Sequence, residues 1–571
     1  MRWLKKKIRS HDRLTPDEVF LDAHEIPGFS RERLEGLIEK PIGKGAFFSF
    51  GALLGLFGLL LVGRTFWLQV VRGEELTGRS ENNYIETEYI DPPRGVIYDR
   101  TGEIIATNEA YTDEKGEIRY RRAMRHPYAF SHLVGYVGIP SQAEKDAGRD
   151  AIGVSAIGKT GLESRYDTKL RGIAGRRDQE LDAAGAIISR GLIVQPEEGE
   201  NIKTTINAPL QEALWEVLDR TMHERGFRGG GGLIFSVKDG SVAALVSVPS
   251  YDANAFARGL TQEEASALFS DKQSPLFNRV LSGTYAPGSI IKPFVALAAL
   301  EEGVIDEHKS IYSSGVLELP NPFNPSQPSR FLDWKAHGYV DLRRAIAVSS
   351  DVYFYTIGGG NGDVKGLGIA RIKSWLEKFG FGKMTGIDLD GEKVGFLPDP
   401  ESKKTLHPEN PIWRIGDTYH ASIGQGDVLM NPLEVARALG ALATGGTFTN
   451  LHIAENAEGS AEQFEKLSFN PKNLKAVHEG MRSAVADGGT AAAVSWVETP
   501  IAGKTGTAEV GGKKDRVHSW FIGFAPADDP QIGVVLFLES GPRSNLVGAP
   551  FVTSELFRWI TAHGGVEGIL R

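Results

Sequence analysis

An uncharged run from Gly45 to Gly63, GAFFSFGALLGLFGLLLVG, constrains this chain more than any other feature. It is about the length a helix needs to cross hydrocarbon, and it is apolar on every face, which a core helix of a soluble domain rarely is. A cleaved leader would carry a shorter apolar stretch close to the start, whereas this run follows a polar tail of more than forty residues. An uncleaved single-pass anchor is expected. Arg2, Lys5, Lys6, Lys7 and Arg9, with Lys40 and Lys44 beside the span, place the tail on the cytoplasmic side. Everything after Arg64 is then expected outside the membrane, with Trp67 at the interface.

At 571 residues the chain exceeds what one core organises, so several domains are expected. A net charge of -9 offers no basic field for phosphates, and nucleic acid is not an expected partner. The absence of cysteine excludes disulfides, thiolate catalysis and Cys-type zinc sites. The sequence divides into a tail over 1–44, a transmembrane helix over 45–66, a spacer over 67–225 and a larger domain over 226–571. The spacer is charged and rich in Gly and Arg, and it reads as short strands and turns with no long amphipathic helix. From Gly229 the pattern LIFSV, KDG, SVAALVSV predicts a β-hairpin on an Asp-Gly turn. Helices are expected over 292–302, 341–358, 364–380, 432–444, 471–486 and 551–563. Late strands (TPIAGKTGTAEV, HSWFIGFAP, QIGVVLFLES) join the early hairpin in one sheet flanked by helices, an α+β architecture.

In YAPGSIIKPF, Ser289 and Lys292 stand three apart at an expected helix start, with Pro293 marking the first turn. A serine there feels the positive end of the helix dipole, and a neighbouring lysine can take its proton. The spacing alone is common, but this is the only Ser-x-x-Lys in the chain. Two further elements follow in the order used by serine acyl transferases. Ser349-Ser350-Asp351 supplies a hydroxyl and a carboxylate for proton relay, and Lys504-Thr505-Gly506-Thr507 on a strand suits a terminal carboxylate. A second KTG, Lys159-Thr160-Gly161, precedes Ser289 and reads as structural.

The order SIIK, SSD, KTGT resembles the penicillin-binding transpeptidases, and PPRGVIYDRTGEIIA resembles the class B signature. Further similar segments are AIGKTGLESRYDTKLRG, FGFGKMTGIDLDGE, SIGQGDVLMNP and HSWFIGFAP. The resemblance implies a β-rich pedestal followed by a transpeptidase fold with an antiparallel sheet, in which Ser289 is acylated by a stem peptide. It makes Lys292 the base, gives Ser349 and Asp351 the proton traffic, and has Lys504, Thr505 and Thr507 orient the carboxylate, with Gly506 admitting substrate backbone. The N–H groups of Ser289 and Thr507 would form the oxyanion hole. Arg94, Gly95, Asp99, Arg100 and Gly102 would tie the spacer together. No cofactor is implied.

Asp351, where many members have Asn, and DWKAHG (Asp333 to Gly338) resemble the elongation type more than the division type. Asp333 and His337 are similar to part of a metal site in some relatives, but without a cysteine ligand no metal is expected. Between Asn108 and His126 only a short charged segment stands where relatives carry a head subdomain. Expected partners are stem peptides and lipid-linked precursor, β-lactams as covalent inhibitors, and a membrane glycan polymerase. A D,D-carboxypeptidase or β-lactamase-like hydrolase would share the three motifs. A non-catalytic β-lactam sensor or cell-wall scaffold is the alternative of another class.

Overall fold

The computed structural model describes residues 44–82, 85–114, 116–149, 153–181, 187–320, 324, 326–457, 464–511 and 515–571. The basic tail ahead of Lys44 lies outside the described residues. The chain divides into two compact units, Met1–Glu86 with Asp178–Arg190, and Thr87–Arg177 with Gly191–Arg571.

In the first unit, helix α1 (Lys44–Phe66) carries the apolar run and continues through a π-helical turn, Trp67–Val71. The span Phe47–Val71 is 25 residues long and none of it is buried. At about 1.5 Å per residue it reaches roughly 37 Å, more than the hydrocarbon core of a bilayer. Its Phe and Leu side chains are exposed all round (Phe48 81%, Leu59 72%), as a surface bathed in lipid requires. The Arg64 and Arg72 guanidinium groups lie 4.5 and 5.2 Å from the Trp67 ring centre, where the span meets charged sequence.

In the second unit the spacer segment forms a four-stranded sheet. Its strands Ile104–Thr112 and Ile118–Met124 pair as an antiparallel hairpin, so the short charged segment after Asn108 is a regular element. Its Arg119 is paired, with Asp113 of the hairpin's own turn at 3.2 Å and with Glu88 on the strand Ile85–Ile90 at 2.9 Å. The PPRG arginine does structural duty, with Arg94 bonding Glu163 at 2.6 Å and Asp167 at 2.8 Å, and Arg122 meeting the other Glu163 oxygen at 2.5 Å. Asp99 accepts from the Thr101, Glu103 and Ala208 backbone N–H groups, and Arg100 donates to the Ile569 carbonyl at 3.0 Å. Lys159 of the early KTG pairs with Glu144.

The expectation of no long helix before residue 225 is corrected. Helix α2 (Ala208–Arg225) starts on an Asn207 side-chain cap with Pro209 in its first turn, and it ends on left-handed Gly226. Its Leu210, Leu214, Leu218 and Met222 are fully buried against the large sheet.

That sheet has five antiparallel strands: β1 (Gly229–Ser236), β2 (Val242–Val248), β3 (Ala502–Val510), β4 (Arg516–Ala525) and β5 (Ile532–Pro542), in the order β2-β1-β5-β4-β3. Residues alternate between two cores, as a period of two demands. Leu233, Phe235, Trp520, Ile522, Val535 and Phe537 enter one, while Ile234, Phe521, Val534, Leu536 and Leu538 enter the other. The second core is covered by α2 and α8 (Ala549–Ala562). The first is covered by α3 (Lys292–Glu301), α4 (Leu342–Val348), α5 (Asp351–Gly359), α6 (Pro432–Ala443) and α7 (Pro471–Val485). Two expected helices differ: 341–358 is broken at Ser349–Ser350, and the one expected from 364 begins at Ile369.

Candidate active site

Ser289 lies on a 3-10 turn, Gly288–Ile291, that leads into α3 at Lys292, with Pro293 in the first turn. The turn is pressed against β3. Gly288 has φ +55°, and a Cβ on it would stand 2.6 Å from the Thr507 carbonyl oxygen. Only glycine permits both that conformation and that approach. On the opposite side, a Cβ on Gly506 would stand 2.7 Å from the Pro287 carbonyl oxygen. Its bareness therefore serves the protein's own packing, beyond the expected access for substrate. The Gly288 N–H donates to the Gly424 carbonyl at 2.9 Å, and the Trp520 indole N–H to the Ala286 carbonyl at 3.1 Å. Ser289 and Thr507, the expected oxyanion-hole pair, are thereby brought onto facing elements.

Lys292 is fully buried. Its ammonium donates to the Ser349 carbonyl at 2.9 Å, Ser349 Oγ at 3.1 Å and Asp351 Oδ1 at 2.6 Å, and it lies 5.2 Å from the Phe354 ring centre. An ammonium has three donors and no acceptor, so all three are committed and none goes to Ser289. The Asp351 carboxylate is its shortest contact. Asp351 remains 18% exposed, so this network reaches solvent.

Ser349 has φ +60° in the left-handed region, which costs a non-glycine residue on the order of 1–3 kcal/mol. It closes α4, while the Ser350 hydroxyl caps α5 at the Tyr353 N–H. This reversal is what breaks the expected single helix, and it aims the Ser349 side chain and carbonyl at Lys292.

Lys504 is also fully buried, on edge strand β3, and its ammonium donates to the Thr505 carbonyl at 2.9 Å. Burial pushes its pKa well below the ordinary lysine range, the nearby Lys292 charge lowers it further, and Asp351 opposes both. Two lysines thus share the field of one carboxylate. Thr507 is exposed beside this edge.

Four contributors escaped the motif reading. Thr490 Oγ1 accepts from Thr505 Oγ1 at 2.7 Å, fixing the Thr505 hydroxyl. Gln425, within the quoted SIGQG, donates to the Thr507 carbonyl at 3.5 Å. Trp520 lay within the quoted HSWF segment without a role. Asp333, named above within DWKAHG and for its likeness to part of a metal site, accepts from the Ser350 hydroxyl at 2.8 Å. Among the described residues no cluster of three or more His, Asp or Glu side chains could hold a metal.

Residues 230–556 match the family described as penicillin binding protein transpeptidase domain, and residues 115–204 match the penicillin-binding protein dimerisation domain. The peptidoglycan D,D-transpeptidase MrdA of Haemophilus influenzae is 31% identical over 88% of this chain and 89% of its own length. Among solved structures, PBP2 of Pseudomonas aeruginosa, in complex with WCK 5153, is 32% identical with a TM-score of 0.69, covering 84% of this chain and 98% of that one. A chain from a structure described as "Structural coordination of polymerization and crosslinking by a peptidoglycan synthase complex" is 27% identical with a TM-score of 0.68, covering 91% and 98%. With a matched catalytic domain behind a pedestal and an apolar anchor, the chain belongs to the class B penicillin-binding proteins.

Proposed function

We propose that this chain is an elongation-type peptidoglycan D,D-transpeptidase in which Ser289 is the acylated serine. Ser289 Oγ attacks the carbonyl carbon of the penultimate D-alanine of a stem peptide, the peptide bond to the terminal D-alanine breaks, and that D-alanine leaves with a proton. An amine from a neighbouring strand then displaces Ser289 from the ester. The Lys292, Ser349 and Asp351 network carries protons between these steps, and Lys504 with Thr505 and Thr507 holds the terminal carboxylate. The N–H groups of Ser289 and Thr507 stabilise the oxyanion. The observation that carries this reading is the buried Lys292, which joins Ser349 and Asp351 one helical turn from Ser289.

The pedestal runs over 67–225, the tail is cytoplasmic and the catalytic domain extracytoplasmic. A membrane glycan polymerase is the partner, supported by the likeness to a synthase complex of polymerisation and crosslinking. Full-length protein in detergent is expected to take a fluorescent penicillin covalently, and Ser289→Ala to lose the label with an unchanged thermal transition. Persistent labelling of that variant would refute the assignment. Given lipid-linked precursor and a polymerase, release of D-alanine without cross-linked muropeptides would favour a D,D-carboxypeptidase.

A further inference from the structure

Beside the Ser349–Asp351 reversal lies a buried carboxylate to which the proposed reaction gives no work. Asp333 sits on the connection after the strand Ser329–Leu332, and its side chain has no exposed surface. Its Oδ2 accepts from Ser350 Oγ at 2.8 Å, the Val352 backbone N–H at 3.1 Å and Ser313 Oγ at 3.0 Å. Its Oδ1 accepts from the Trp334 N–H at 2.9 Å and faces His337 Nε2 at 3.4 Å. Two of these donors, Ser350 and Val352, flank Asp351, the residue that holds Lys292.

We propose that Asp333 is a positioning residue for acylation: an anionic hub that clamps the first turn of α5 and so sets the Ser349–Asp351 reversal against Lys292. The left-handed Ser349 needs such a clamp, because an isolated reversal of this kind would relax. A charged acceptor of several short hydrogen bonds is a strong and directional one. The reach extends one residue further, since the Trp334 indole N–H donates to the Val348 carbonyl at 3.1 Å. One carboxylate, one imidazole and two hydroxyls do not fit a zinc site, and the carboxylate's oxygens are taken by protein donors.

The inference rests on Ser289 being the acylated serine. Acylation of full-length protein in detergent by a chromogenic β-lactam separates initial affinity from the acylation rate. Asp333→Ala is expected to slow the rate on the order of 10- to 100-fold, as loss of near-angstrom placement does, with affinity changed less than about threefold. Asp333→Asn, which keeps an acceptor oxygen, recovers part of the rate. Ser350→Ala is slower than the parent, and adding it to Asp333→Ala costs less than it does alone, because the two share one bond.

If Asp333→Ala does not fold, Asp333→Asn and Ser350→Ala decide, and unchanged rates in both overturn the proposal. So does an unchanged rate in folded Asp333→Ala, or a rate that chelator abolishes and zinc alone restores. Ser289→Ala is the separate control: acylation persisting there refutes the site assignment itself.

Discussion

Lys292 shows how far a single residue's chemistry depends on its partners. Burial of an ammonium is costly unless it is bonded, and here three acceptors satisfy it. Lys292→Met removes that charge and leaves Asp351 facing a methyl group. Penicillin acylation is expected to fall below detection, and stability by about 3–5 kcal/mol if the remaining carboxylate stays as enclosed as its partner was. Its 18% exposure reduces that loss, so the measured drop in thermal denaturation should lie at or under the lower bound. The Ser289, Lys292, Ser349, Asp351 and Lys504 types were legible from three short motifs. Which bonds these side chains make was not, because the direction of the Lys292 bonds follows from a reversal distant in sequence.

At the scale of elements, the site is a seam between the Gly288–Ile291 turn and strand β3. Gly288→Ala tests that seam. The added methyl must fit 2.6 Å from the Thr507 carbonyl in a left-handed conformation, so either the turn or the strand moves. The acylation rate is expected to drop at least roughly tenfold with a stability loss on the order of 1–3 kcal/mol, read by β-lactam kinetics beside a melting curve. An active, fully stable variant would show that the seam yields. Helix α2 illustrates a legible element that was missed, for Asn207, Pro209 and Gly226 are ordinary start and stop signals. The break at Ser349 is different, since no glycine or proline marks it.

Over the whole molecule, one buried place where the segment before residue 225 packs against the segment after it lies around His132. Its ring lies edge-on to Tyr251 at 5.2 Å, its Nε2 is 3.3 Å from the Pro249 carbonyl, and its own carbonyl accepts from Asn278 at 3.2 Å. Burial pushes its pKa down to about 4 from an ordinary 6.5, and the Arg279 charge adds to this. The unfolded chain therefore binds the proton first as pH falls below 6.5, and stability is lost between there and pH 4. Linkage gives roughly 2 kcal/mol lost between pH 7 and 5 from this group. His132→Gln should flatten the fall in melting temperature over that window; an identical slope in parent and variant would contradict it.

The sequence by itself determined the anchor, the sheet strands, the family and the three motifs that hold Ser289, Ser349 and Lys504. Each of these is written in a local pattern: an unbroken apolar run, a period of two, or a short motif at fixed spacing. Only the tertiary structure decided that Asp333 bonds the first turn of α5, that Thr490 fixes Thr505, and that Gly506 is bare because Pro287 lies against it. Those are contacts between segments far apart in the chain, and a hydrogen bond or a close approach exists only once the fold has brought both partners to one place.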